Sequence, residues 1–99
     1  MADMKNLTKL GTLGKEASAQ MQAFQALNDA AFSEGAIPVK YKELIALGVA
    51  LTTQCEYCLE IHGKNARAAG ATDQEIAEVA FVTAALRAGG AVTHATHLV

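Results

Sequence analysis

Large rings are scarce in this chain: tryptophan is absent, and three Phe and two Tyr are the only aromatic residues among 99. A core filled by stacked rings between sheets is excluded, and the 21 alanines point instead to thin helices that approach closely. Charge is sparse too. Charged residues make up 18% of the chain, eight basic against ten acidic, for a net charge of −2. The basic residues are scattered, so there is no electrostatic footprint for nucleic acid, and an anionic membrane surface is not an expected partner. The longest apolar run, Leu44 to Leu51, falls far short of the roughly 20 residues of a bilayer crossing, so no transmembrane helix is expected. No apolar run of signal-peptide type follows Met1, which makes the cytosol the expected compartment. Haem and flavin signatures and a dinucleotide-binding glycine pattern are missing, and no cofactor is expected.

What is abundant is apolar side chain, 52% of all residues. A chain of this length folding alone buries only about two thirds of its unfolded surface, so the excess predicts an interface. Residues 1–99 fit one domain. Within it, residues 1–14, with Gly11 and Gly14 and no sustained period, are expected as a loosely held arm. From Lys15 to Phe32, Met21, Phe24, Ala26, Leu27 and Ala31 recur at helical steps, and this helix is expected to end near Gly35. Pro38 opens a second helix, Val39 to about Thr52, apolar nearly all round and therefore buried. Thr53-Gln54-Cys55-Glu56 has the form of a capping box and predicts a third helix from Gln54 to Ala69, with Gly70 as its left-handed terminator. Thr72-Asp73-Gln74-Glu75 repeats the pattern before a fourth helix, whose stripe Ile76, Val79, Val82, Thr83 and Leu86 is expected to stop at Gly89-Gly90. The last nine residues could add a turn or two. The expected fold class is all-α, a single small domain of about four to six helices with residues 35–90 as its core.

Two cysteines in a reducing compartment are not a structural staple, and the spacing Cys55-x-x-Cys58 asks for redox or metal chemistry. On an α-helix Cys55, Cys58 and His62 lie at about 0°, 300° and 340°, so all three side chains leave one face. His62, one turn beyond Cys58, supports ionisation of Cys58. The exposed amides and dipole of the helix start support ionisation of Cys55. Spacing alone does not rank the two. Glu43 sits in an otherwise apolar helix, and a buried carboxylate needs a partner. If the second and third helices form a tight antiparallel pair, Glu43 comes level with His62, and a Glu to His to Cys relay becomes geometrically reasonable.

Other residues weigh less. Tyr57, between the cysteines, reads as a packing or exposed ring, and His94 and His97 as solvent-exposed tail histidines. A competing chemistry is a zinc site in which Cys55, Cys58 and His62 are joined by Glu43, His94 or a neighbouring subunit. Structural zinc usually takes two separated ligand pairs and only one exists here, so no metal is assigned. A second competitor is a helical scaffold or redox sensor whose cysteines oxidise without turnover.

The combination Glu43-x11-Cys55-x2-Cys58-x3-His62, with Lys-Glu-Leu-Ile-Ala-Leu before it and Ala-Gly-Ala-Thr-Asp-Gln-Glu after it, resembles the alkylhydroperoxidase D-like group of the carboxymuconolactone decarboxylase superfamily. The resemblance covers roughly Gly35 to Gly90. It implies an all-helical fold, assembly into trimers or hexamers, and thiol-dependent peroxidase or disulfide reductase activity. It also implies an active set: Cys58 as attacking thiol, Cys55 as resolving partner, and Glu43 with His62 as proton relay. A peroxide would be the substrate, and a dithiol donor of lipoyl type or a thioredoxin-like protein the reductant. The chain departs from longer, two-unit members in carrying Tyr57 where they often have His. Decarboxylase members lack the cysteine pair, so lactone decarboxylation is disfavoured.

Overall fold

The computed structural model describes residues 2–99, which form five α-helices and no strand among the described residues. They are α1 (Leu10–Glu16), α2 (Ser18–Phe32), α3 (Val39–Thr53), α4 (Glu56–Ala68) and α5 (Asp73–His94), with 3-10 turns at Met4–Lys9 and Ala95–Leu98. The all-α expectation is met.

The arm expected to be loosely held is helical from Met4 through Gly14, and Met1 lies outside the described residues. Gly14 is the enabling residue: a Cβ there would stand 3.3 Å from Met21 Cγ, so its absence lets α1 lie against α2. Ala17, at φ −136° and ψ 63°, breaks the helix that the periodicity of Lys15 to Phe32 predicts as continuous, and α2 begins at Ser18. No residue of α2 is buried.

Helices α3 and α4 form the expected antiparallel pair, turned by two residues. Gln54 takes the left-handed conformation (φ 56°, ψ 41°) that closes α3, and Cys55 is extended and caps α4. This corrects the start of the third helix. Thr53 belongs to the end of α3, its hydroxyl facing the Ala50 carbonyl, so it is not free to cap α4. The cap is instead the Cys55 sulfur, which accepts the Cys58 amide at 3.3 Å. At the far end Gly70 (φ 96°) makes the predicted left-handed stop: its amide bonds the Arg67 carbonyl at 3.0 Å, and the Ala71 amide bonds that of Ala66 at 2.9 Å.

Helix α5 opens on the second capping pattern as predicted, with the Thr72 hydroxyl accepting the Glu75 amide at 3.1 Å and the Glu75 carboxylate accepting the Thr72 amide at 2.9 Å. Glu75 also meets Lys40 Nζ of α3 at 2.8 Å, and that hydrogen bond holds its carboxyl below the usual range. The expected stop at Gly89-Gly90 is not made. Two internal glycines cost a helix about 2 kcal/mol together, and the alanines and Val92 around them carry it on to His94. The longer helix changes one expectation. Asp73–Leu98 has a window of mean hydropathy 1.4 and is long and apolar enough, by length and composition alone, to cross a membrane. Arg87 on that helix reaches the Leu51 and Thr52 carbonyls at 3.4 Å and ties it to the end of α3.

The core is small. Leu47, Ala50, Ala66 and Ala71 are the buried apolar residues, flanked by Leu44, Leu59, Ile76 and Val79. Ala66 and Gly48 are short enough for close approach; a Cβ at Gly48 would lie 3.4 Å from Thr83 Oγ1 on α5. Replacing Thr72 by Ala removes one acceptor from the α5 start and is expected to cost about 1 kcal/mol, a fall in melting temperature of about 4–8 °C. An unchanged melting curve, at matched protein concentration, would show that the box does not hold α5.

Candidate functional site

Glu43 comes from the second turn of α3, where every neighbour along the buried face is apolar, and it is only 5% exposed. Leaving a carboxylate there without a partner would cost several kcal/mol or force its protonation. The partner is His62 of α4, whose Nδ1 lies 2.6 Å from Glu43 Oε2. The antiparallel turn at Gln54 and Cys55 sets this register, so the pair anticipated from the sequence is formed. With Nδ1 committed to Glu43, the nitrogen left for chemistry is Nε2. Phe32, the last residue of α2, lies on the imidazole with centroids 4.8 Å apart and planes at 11°. The ring is therefore held by a hydrogen bond at one edge and an aromatic face on one side.

His62 and Cys58 line one cavity of about 480 Å³, between the end of α2 and the outer face of α3. A second cavity of about 370 Å³ lies on the other side of His62, among Leu10, Met21, Phe24 and Glu43. The imidazole and Phe32 border both.

The sulfurs of Cys55 and Cys58 are 2.6 Å apart, and both cysteines are free. Their environments differ. The Cys58 thiol shares its proton with the Cys55 sulfur, and the Cys58 and Tyr57 amides point at that sulfur as well; together they bring the Cys55 thiol below its usual value. Cys58 is moved the other way, first by the hydrogen bond it gives to Cys55, then by burial, then by the Cys55 charge. Of the two sulfurs, Cys55 is the one drawn toward its anion, first by the hydrogen bond from Cys58 and then by the amides of the helix start. The helical-wheel placement is adjusted accordingly: Cys58 and His62 are on α4, whereas Cys55 is its extended cap.

Tyr57 is half-buried, and its hydroxyl accepts from Asn6 Nδ2 at 3.2 Å, so the N-terminal turn is fastened over the cysteine loop. His94, at the exposed end of α5, and His97, in the 3-10 turn after it, stand side by side with ring centroids 4.9 Å apart and planes tilted at 58°. Among the described residues no group of three or more His, Cys, Asp and Glu side chains is arranged to hold a metal. Phe32 is the site residue that sequence reasoning missed. It stands at the end of a helix whose other aromatic, Phe24, is 61% exposed, and no spacing rule links it to His62 thirty positions on.

The pattern of the carboxymuconolactone decarboxylase family matches residues 19–99, and the chain belongs to that family. A Paracoccus denitrificans relative called "Uncharacterized protein 4 in cox locus" is 42% identical over 98 residues, which span 96% of this chain and 88% of the relative. The apo crystal structure of a carboxymuconolactone decarboxylase family protein from Legionella pneumophila superimposes with a TM-score of 0.79. It is 30% identical and covers 93% of this chain and 82% of its own. A protein of Methanobacterium thermoautotrophicum matches with the same TM-score of 0.79 at 32% identity, covering 85% of this chain and 94% of its own.

The thiol arrangement has a direct test in the pH dependence of alkylation by iodoacetamide. Cys55 is expected to react with a midpoint below that of an ordinary thiol, and Cys58→Ala to move this midpoint upward by removing the S–H donor. Cys55→Ala is expected to move the Cys58 midpoint downward. A Cys55 midpoint that does not respond to Cys58→Ala would remove the shared proton from the account.

Proposed function

We propose that the protein is a thiol-dependent peroxidase and disulfide reductase that cycles Cys55 and Cys58 between dithiol and disulfide, with Glu43 and His62 as its proton relay. The observation that carries this is the cavity shared by Cys58 and His62, with Glu43 fixing the far side of the imidazole. A peroxide entering that cavity meets Cys58 rather than Cys55, which does not line it.

His62 Nε2 takes the Cys58 proton, directly or through water, and Glu43 stabilises the imidazolium so formed. The Cys58 thiolate attacks the outer peroxide oxygen; the O–O bond breaks, Cys58 becomes a sulfenic acid, and the alkoxide leaves as an alcohol with the proton from His62. Cys55, already inclined to the thiolate and 2.6 Å away, then attacks the Cys58 sulfur and expels hydroxide, which leaves as water. The peroxide has gained two electrons and the pair has lost them. An external dithiol, of lipoyl type or on a thioredoxin-like protein, restores the pair by two exchange steps and departs as its own disulfide. The same dithiol step run on a small disulfide constitutes the reductase activity. Nothing in this cycle calls for nucleic acid, a membrane or a bound cofactor, and the cytosol is its expected place.

The cycle is tested by steady-state peroxide consumption with a dithiol donor. Cys58→Ser and Cys55→Ser are expected to abolish turnover, and Glu43→Gln to lower kcat by about 10²-fold while leaving peroxide-driven loss of two thiols intact on a slower timescale. Full turnover by Cys58→Ser would sink the assignment.

We further propose that the chain works as a homo-oligomer, a trimer or hexamer. In support, its radius of gyration is 16.3 Å, against about 13 Å for a compact chain of 100 residues. Phe81, Val82, Leu86 and Val92 of α5 are each more than 60% exposed. Covering such a stripe with other copies of the chain explains an apolar helix without a bilayer. Sedimentation equilibrium at micromolar concentration is expected to give a multiple of the 10.3 kDa chain. A folded monomer at that concentration would refute it.

A further inference from the structure

The cavity in front of Cys58 has a composition that speaks to what enters it. Its walls are apolar, chiefly Phe32, Ile37, Ile45 and Val49, and Ile37, Ile45 and Val49 are each about half exposed. One cation borders it, Lys42. The Lys42 ammonium gives one hydrogen bond, to the Ser33 carbonyl at 2.7 Å, and meets no carboxylate among the described residues. Its neighbour Glu43 is already paired with His62. Lys40, two residues before it, has Glu75 as its partner; Lys42 is the cation without a carboxylate, among the described residues, that also borders this cavity. An ammonium has three donors and a full charge, so an anion that reaches it across the apolar wall gains charge-assisted hydrogen bonds.

We propose that the oxidising substrate is an apolar organic hydroperoxide that carries a carboxylate, the acid paired with Lys42 and the hydrocarbon laid along Ile45 and Val49. Spacing on the helices supports the fit. Glu43 and His62 stand at one level, so Lys42 stands near it too, while Cys58 is four residues back along α4, a rise of about 6 Å. A cavity of about 480 Å³ is within the usual range for small-molecule sites. The chemistry is that of the cycle above: the hydroperoxide takes two electrons and leaves as the hydroxy acid, Cys55 and Cys58 join, and the dithiol donor reduces them. The substrate assignment rests on that redox cycle, whereas the carboxylate site stands on Lys42 and the cavity.

Binding separates the two. Reduced protein is titrated calorimetrically with decanoate and with decan-1-ol, neither of which reacts with thiols. The acid is expected to bind roughly tenfold more tightly or better, the scale of one charge-assisted hydrogen bond. Lys42→Met is expected to bring the two affinities together, Lys42→Arg to restore the preference, and Lys64→Met, on the exposed face of α4, to change nothing. In turnover, Lys42→Met is expected to raise KM for a carboxylated alkyl hydroperoxide without raising it for its methyl ester. Equal binding of acid and alcohol by the unsubstituted protein, or a preference that survives Lys42→Met, overturns the proposal and leaves the redox cycle standing. Failure of both ligands to bind, with Ile45 and Val49 protected from solvent in a sedimenting oligomer, means that a second copy fills the cavity and also overturns it. A protein that prefers the acid yet consumes no peroxide supports the carboxylate site and overturns the redox cycle alone.

Discussion

A carboxylate buried at 5% exposure inside an apolar helix is a constraint that the rest of this small protein is arranged to satisfy. A buried carboxylate needs a hydrogen-bond partner, and the partner is on the next helix, 19 residues on. That requirement sets the register of α3 against α4. It demands a corner short enough to bring the helices back together, which Gln54 provides by adopting a left-handed conformation. It also demands small residues between the helices, which Ala50 and Ala66 provide. Fixing His62 at Nδ1 in turn determines that its other nitrogen is the one available to the cavity where Cys58 lies.

The sequence was most legible where a local pattern has one physical solution. Thr72 and Glu75 can satisfy each other's orphan amides only across a helix start, and they do so. Gly70 stands alone in accepting a positive φ at the end of α4 without strain, and it closes that helix. The pairing of Glu43 with His62 was legible for a related reason, since burial left the carboxylate few alternatives. Thr53 and Glu56 offered the same pattern as Thr72 and Glu75 and did not use it. The tight corner kept Thr53 inside α3, so tertiary geometry overrode the local signal. Gly89 and Gly90 also misled, because glycine lowers helix propensity by an amount that a long run of alanines can absorb. Phe32 was beyond reach because its contact with His62 depends on how α2 meets α4, and no periodicity within either helix encodes that.

The surface of the isolated chain tells a matching story. A 22-residue helix with one buried residue, a second helix with none, and four buried apolar side chains leave this chain a small core for its length. The thin core and the exposed α5 stripe are two aspects of one composition, in which alanine permits close approach but contributes little buried area. Family membership and the superposition on the Legionella protein show that these helices adopt the fold of that family.

The cap at Cys55 joins chemistry to folding in a way that runs in both directions. The Cys58 and Tyr57 amides that draw the Cys55 thiol toward its anion are the same amides that the first turn of α4 must satisfy in order to exist. By linkage, a helix start that favours the thiolate is favoured by it to the same extent. Protonating Cys55 therefore loosens the turn that carries Cys58, and fraying that turn returns Cys55 toward an ordinary thiol. Acidity and helicity at this corner are a single free energy, which titration would read from one side and hydrogen exchange from the other.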